Sequence, residues 1–210
     1  MIFPVDPLTL LAFLPAALAL NLTPGADMMF ALGQGLRSGP RAAIAAAAGI
    51  SAGGMVHVGL AGLGLGAVVA AHPGLFDAIR WAGVAYLIWL AVQCLRQTRL
   101  PRSTASALRA HIAFRNGALV TLTNPKVILF TLAFIPQFID PARGQILAQF
   151  LVFGAVIGMG GMLINGAVGL SAAGLGRHMA TSQHFARTLG LVSAGIFATL
   201  ALRLALFQKA

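Results

Sequence analysis

The sequence contains no glutamate and just four aspartates, Asp6, Asp27, Asp77 and Asp140, against 14 lysines and arginines in 210 residues. Charged residues make up 9% of the chain and hydrophobic ones 59%, where an ordinary soluble domain has roughly 25% charged. A water-facing surface for a chain of this size needs many more polar side chains, so lipid is the solvent for most of it and soluble enzymes are excluded. The single cysteine, Cys94, excludes an internal disulfide, a thiol-exchange pair and a cysteine metal cluster. Residues 1–7 carry no basic stretch ahead of the first apolar run, so no cleaved secretory signal is expected. The net charge of +10 does not point to nucleic acid, because the basic residues lie between apolar runs rather than on a water-exposed face with polar or aromatic neighbours.

What is present is long apolar runs. Windows of about 20 residues, the length that crosses a hydrocarbon core about 30 Å thick, mark six predicted spans at 8–32, 42–71, 75–95, 116–138, 146–176 and 188–207. The runs are continuous rather than alternating, which argues against a β-barrel. The second and fifth exceed a perpendicular crossing and should tilt, break or project. The chain 1–210 thus reads as one all-α transmembrane domain. Nine of the fourteen basic residues fall in alternate loops: Arg37 and Arg41 in the first, Arg96, Arg99, Arg102, Arg109 and Arg115 in the third, Arg177 and Arg187 in the fifth. Arg80, Arg143, Arg203 and Lys209 fall on the other side, with Asp77 and Asp140 beside two of them. Lysine and arginine accumulate in cytoplasmic loops, which places both termini outside the cytoplasm. The third loop, with its Pro101 and Ser103 turn, reads as a topogenic linker; anionic lipid binding is the second reading.

Six spans invite comparison of the two halves, because many transporters consist of two three-span repeats and bind cargo at broken helices between them. Three markers recur. Asn21-Leu22-Thr23-Pro24 is echoed by Thr123-Asn124-Pro125, with the prolines 101 residues apart; Gly49 and Gly53 are echoed by Gly154 and Gly158, 105 apart; Arg80 and Gly83 are echoed by Arg187 and Gly190, 107 apart. The predicted repeats are 1–98 and 112–210, joined by the basic linker 99–111. With an odd number of spans in each, the second enters the membrane upside down, which is the geometry of alternating access.

A proline inside a helix removes a backbone donor and frees carbonyls, and in lipid such an opening survives where it faces protein or water. Pro24-Gly25 and Pro125 therefore mark either a cavity between the halves or two kinks held by threonine and asparagine side chains. Asn21, Thr23 and Asn124 beside them are candidate substrate-binding residues. Lys126 is the eleventh residue of its predicted span, near the bilayer centre, where a lone charge costs at least about 2.5–3.5 kcal/mol on insertion scales. It can hold a substrate carboxylate, with backbone donors at the Pro125 break assisting as at a helix N-terminus. Asp27 can meet a substrate amine or take up a proton. Together the two would read a zwitterion; the alternative is a structural Asp27–Lys126 ion pair. His57 projects from the glycine stripe of the second span and is either a proton carrier or a neutral ring bonded to a neighbouring carbonyl. Asn165 reads as an interhelical hydrogen bond or a pore-lining residue, and Trp81, Tyr86 and Trp89 as interface anchors or packing.

These residues resemble the LysE/RhtB exporters, which move amino acids and related compounds out of bacterial cells. The likeness is carried by Leu22-Thr23-Pro24-Gly25-Ala26-Asp27-Met28, by Gly35-Leu36-Arg37-Ser38-Gly39, by Gly49-Ile50-Ser51-Ala52-Gly53 with His57, by Gly83-Val84-Ala85-Tyr86-Leu87 and by Phe114-Arg115-Asn116-Gly117. Most specific is Leu122-Thr123-Asn124-Pro125-Lys126 followed by Phe134-Ile135-Pro136-Gln137-Phe138. The match is ordered, spans most of the chain and weakens after Gly144; Ala26 departs from it, standing where the family usually has a second proline. The resemblance implies an exporter in the bacterial inner membrane with six spans, driven by proton antiport, and leaves room for a homodimer. It does not fix the cargo, because members differ among basic amino acids, threonine, homoserine and its lactone, and branched or sulfur amino acids.

A dibasic cargo would be helped by more than one intramembrane acid, and Asp27 is the one clear case, while Lys126 would repel extra positive charge. Small neutral amino acids or derivatives are favoured. No cofactor is expected, since no Walker pattern or other phosphate-binding loop is present. A cation exporter of the wider superfamily would need converging carboxylates, histidines or thiolates, for which Asp27 and His57 alone offer themselves. A membrane scaffold would use the glycine stripes for packing and show no flux. A membrane-embedded enzyme has least support, because no nucleophile, base and orienting residue can be named together.

Overall fold

The computed structural model describes residues 4–71, 75–96, 107–175 and 183–206. Arg99, Pro101, Arg102 and Ser103 of the linker, Arg177 and Lys209 lie outside them, as do the side chains of Asp77, Arg80 and Arg203. Among the described residues the regular elements are all helical: α1 (Pro7–Leu22), α2 (Ala26–Ser38), α3 (Pro40–Ala71), α4 (Leu75–Arg96), α5 (Ala110–Leu122), α6 (Pro125–Ala133), α7 (Ile146–Leu175) and α8 (Gln183–Leu206), with 3-10 turns at Ile135–Phe138 and Pro141–Arg143.

The helices start and stop where local chemistry requires. Asp6 caps α1, its carboxylate accepting from the Thr9 N–H at 3.0 Å, and Pro7 takes the first helical position, where a missing N–H costs nothing. Gly39, at φ +83°, leaves α2 through a backbone conformation that side-chain-bearing residues avoid, and Pro40 opens α3. Pro136 cannot continue the hydrogen bonding of α6, and the chain tightens there into a 3-10 turn.

Two predicted boundaries are corrected. The span expected at 8–32 is two helices, α1 and α2, bent by 54° and running on to Ser38; the one expected at 116–138 starts at Ala110 and is bent by 55° between α5 and α6. A hydropathy window passes over the polar ends, His111 and Arg115 among them, although the helix continues through them. By length and composition, Pro40–Gly64 of α3 and Ile146–Gly174 of α7 can each cross a membrane, and each bent pair passes as one span; α4 and α8 hold shorter apolar stretches, Trp81–Arg96 and Gly190–Leu202.

α3 lies along both α7 and α5, α2 lies on α7, and α4 pairs with α8. Close approach depends on glycine: a Cβ on Gly49 would overlap the Phe114 carbonyl and one on Gly35 the Gly169 carbonyl, the small-residue packing by which helices associate in lipid. One aromatic cluster joins α1, α6 and α7, with Phe13 and Phe153 ring centroids 4.7 Å apart, Phe130 and Phe134 4.7 Å, and Phe13 and Phe138 5.1 Å. On the outside, Leu60, Leu63, Met159 and Leu163 are each more than 60% exposed, a surface for acyl chains rather than water. The chain is a multi-pass, all-helical membrane protein.

Candidate functional site

Pro24 has no N–H, so the carbonyl of Leu20, four residues earlier, loses its helical partner. Thr23 and Gly25 are both extended and separate α1 from α2; the Thr23 hydroxyl donates back to the Ala19 carbonyl at 2.6 Å. The orphaned acceptors are met from across the molecule. Lys126 Nζ donates to the Leu20 carbonyl at 3.0 Å and to the Thr23 carbonyl at 2.9 Å. Gly25 makes room for it, since a Cβ there would stand 3.3 Å from Nζ.

The second break repeats the arrangement with different donors. The carbonyl four residues before Pro125 is that of Thr121, and it accepts from His57 Nε2–H at 3.2 Å and from the Asn124 N–H at 3.0 Å. Asn124 caps α6, its Oδ1 accepting from the Lys126 N–H at 3.0 Å. Tyr86 on α4 donates its hydroxyl to the Lys126 carbonyl at 3.0 Å, fixing the residue whose side chain closes the first break. Trp89 stacks on Tyr86, while Trp81 and Trp89 are themselves about half exposed.

Asp27, 8% exposed, accepts a hydrogen bond from the Thr121 hydroxyl at 3.1 Å. It does not form the direct ion pair with Lys126 weighed from the sequence: among the described residues no carboxylate lies within ion-pairing distance of the ammonium. The physical reason is competition, since carbonyls freed by Pro24 are unpaired acceptors that need a donor as urgently as the carboxylate does. Both groups nevertheless line one cavity of about 40 Å³, with Asn21, Thr23, Ser51, Thr121 and Asn165, against an apolar wall of Leu20, Ile50, Val58, Val127 and Ile157.

Of the residues singled out from the sequence, the cavity brings together Asn21, Thr23, Asp27 and Lys126. Pro24 and Gly25 form its broken edge and Pro125 the other break. Asn124 stands behind it as a helix cap, with its Nδ2 buried and unpartnered. His57 touches the cavity through Thr121 and itself lines a different, mostly apolar groove of about 360 Å³ with Leu60, Ile128 and Phe150. Of the two readings of Asn165, the structure gives no interhelical hydrogen bond, its Oδ1 being buried without a partner, and places the residue in the lining of the cavity. Sequence reasoning missed Thr121 and Ser51. Thr121 could have been found as the residue four before Pro125, but its reach to Asp27, 94 positions away, has no local signal. Among the described residues no three His, Cys, Asp or Glu side chains converge where a metal ion could sit.

A cavity with Lys126, Asp27 and other polar side chains along an apolar wall, where two broken helices meet inside a multi-pass helical protein, is the arrangement in which many membrane transporters bind cargo. The chain belongs to the LysE type translocator family, whose model matches residues 18–208. It is 40% identical over 147 residues to an uncharacterized membrane protein of Vibrio cholerae, covering 69% of this chain and 71% of that one. It is 36% identical over 152 residues to a homoserine/homoserine lactone efflux protein of Salmonella typhimurium, covering 68% and 70%, and 31% identical over 201 residues to a leucine efflux protein of Klebsiella pneumoniae, covering 92% and 95%. No solved structure matches the chain.

Proposed function

We propose that this chain exports a small neutral amino acid or a close derivative from the cytoplasm by proton antiport. Its six spans form two inverted three-helix repeats in a bacterial inner membrane, with both termini outside the cytoplasm. The observation that carries the reading is the Lys126 ammonium, held on the carbonyls of a broken helix, lining the same cavity as the buried Asp27 carboxylate. A zwitterion offers each of these groups its complement. The substrate carboxylate takes the ammonium from Leu20 and Thr23, and Asp27 receives the amine or, when the substrate has left, a proton. Asn21, Thr23 and Asn124 complete the polar edge at the two breaks. The relatives named for homoserine, homoserine lactone and leucine efflux fit a cargo without a charged side chain.

The repeat is supported by the reciprocity of the breaks. Leu20 and Thr121 are separated by the same 101 positions as the prolines; Lys126 from the second half closes the first break, and His57 from the first half bonds into the second. α3 packs on α5 and α6, and its counterpart α7 on α1 and α2. α4 and α8 supply the remaining two crossings. One charge crossing 100 mV yields about 2.3 kcal/mol, enough for a single proton to sustain a gradient of about fiftyfold at roughly 1.4 kcal/mol per tenfold. The test is efflux of preloaded amino acids from proteoliposomes with and without an imposed proton gradient, comparing the native protein with Lys126→Ala. Gradient-dependent efflux of one cargo class that fails in the variant is expected; no efflux of any amino acid from vesicles holding folded protein overturns the reading.

A further inference from the structure

Away from Lys126, the cavity holds a second polar feature centred on Gly161 of α7. The missing side chain leaves a notch: a Cβ there would stand 3.2 Å from Asn21 Oδ1, 3.8 Å from Ser51 Oγ and 3.9 Å from Asn165 Nδ2, side chains contributed by three different helices. Two of the three are already anchored. Asn21 donates its Nδ2 to the Ile157 carbonyl at 3.1 Å and Ser51 its hydroxyl to the Gly158 carbonyl at 2.9 Å, which turns their oxygens' remaining lone pairs toward the notch. Asn165 differs. It is 4% exposed, it lines the cavity, and its Oδ1 has no partner. The atom it brings to the notch is its Nδ2 donor, 3.9 Å from the point that lies 3.2 Å from the Asn21 Oδ1 acceptor, so the notch offers a donor and an acceptor that one hydroxyl can engage at once.

We infer that the Gly161 notch is a side-chain subsite in which a substrate hydroxyl accepts from Asn165 Nδ2 and donates to Asn21 Oδ1, making this exporter selective for hydroxylated over purely aliphatic amino acids. The inference rests on the proposed export function and adds a third contact to it: Lys126 takes the carboxylate, Asp27 the amine, and the notch reads what hangs from the α-carbon. Selectivity follows from the cost of leaving these two groups unpaired. A hydroxyl satisfies Asn165 Nδ2 and Asn21 Oδ1, whereas an aliphatic side chain shuts them away from water with nothing in exchange, and sites built to hydrogen-bond a substrate hydroxyl discriminate strongly against the analogue that lacks it. An apolar pocket of equal size would not make that distinction, because adding a hydroxyl to a cargo is hard for apolar walls to reject.

The experiment compares homoserine with leucine, in proteoliposome efflux and in ligand-induced thermal stabilisation of the detergent-solubilised protein, for the native chain, Asn165→Leu and Gly161→Ala. The native protein is expected to favour homoserine by at least about tenfold in kcat/KM. Asn165→Leu should remove most of that preference in the homoserine-to-leucine ratio of kcat/KM, and Gly161→Ala, which fills the notch between Asn21 and Asn165, should act in the same direction. Loss of both cargoes in parallel in both variants, or an unchanged ratio, overturns the subsite. If the native protein moves neither cargo yet homoserine stabilises it and Asn165→Leu abolishes that effect, the export reading fails and the subsite stands. Stabilisation by neither cargo, with no native preference in efflux, overturns the subsite by itself.

Discussion

Asp27 and Lys126 are held by different means, and this separates what each can do. Lys126 is bound to two backbone carbonyls, so releasing it requires another anion to take the ammonium or the break itself to close. Asp27 is held by one hydroxyl, from Thr121, and an asparagine at position 27 could still accept that bond through its Oδ1 while losing the ability to take a proton. Asp27→Asn is therefore expected to leave the fold and downhill substrate exchange in place, with a higher KM for the missing amine contact, and to abolish accumulation driven by a proton gradient. Exchange and gradient-driven efflux measured in the same vesicles check this. Gradient-driven efflux surviving in full would move the proton to another group, and His57, which bonds the carbonyl freed by Pro125, is the first to examine.

At the scale of helices, the glycines divide into those against which another backbone lies and those that face open space. A Cβ at Gly49 would run into the Phe114 carbonyl of α5, whereas one at Gly59, ten residues further along the same helix, meets nothing within 4 Å. Gly49→Ala should cost about 1–3 kcal/mol through overpacking, and Gly59→Ala should be neutral or stabilise by up to about 1 kcal/mol because alanine is the better helix former. Thermal unfolding in detergent distinguishes them; equal effects would show that α3 and α5 do not pack through this stripe. The stripe itself, the two proline breaks and the broad division into apolar spans were readable in the sequence, because each has a local cause: small residues at helical spacing, a missing N–H, a run long enough for the bilayer. The bond that reaches from Lys126 to Leu20, the hydroxyl that Thr121 gives Asp27 and the failure of Asn165 to find a partner were not, because each depends on residues more than ninety positions apart or on the absence of a contact. The first predicted span ends at residue 32 rather than at Ser38, the end of α2, for a related reason, since a hydropathy window closes on polar residues through which the helix continues.

Taken as a whole, the molecule must open the cavity lined by Lys126 and Asp27 to one side of the membrane at a time if it works by the proposed antiport. On the proposed topology the described contacts at the two ends identify what has to part. On the outer side, Asp6 at the start of α1 pairs with Arg143 at 3.9 Å, and Arg143 also meets Asp140 at 3.4 Å; these side chains are each about 40% exposed, so the contact is worth roughly 1 kcal/mol or less and opens readily. On the cytoplasmic side, the Ser38 hydroxyl at the end of α2 accepts from the Leu108 N–H at 2.8 Å just before α5. If cargo loads between α2 and α5 on the proposed cytoplasmic side, the contact between Ser38 and Leu108 is one that has to part. Cysteines introduced by Ser38→Cys and Leu108→Cys, in a chain whose buried Cys94 is replaced by alanine, are expected to react with a short reducible thiol cross-linker and to stop efflux, which returns on reduction. The uncross-linked double variant provides the reference rate. Full efflux through quantitatively cross-linked protein would mean that substrate enters without parting these two helices, and would place the moving element elsewhere, with the α4 and α8 pair the next to be tied together.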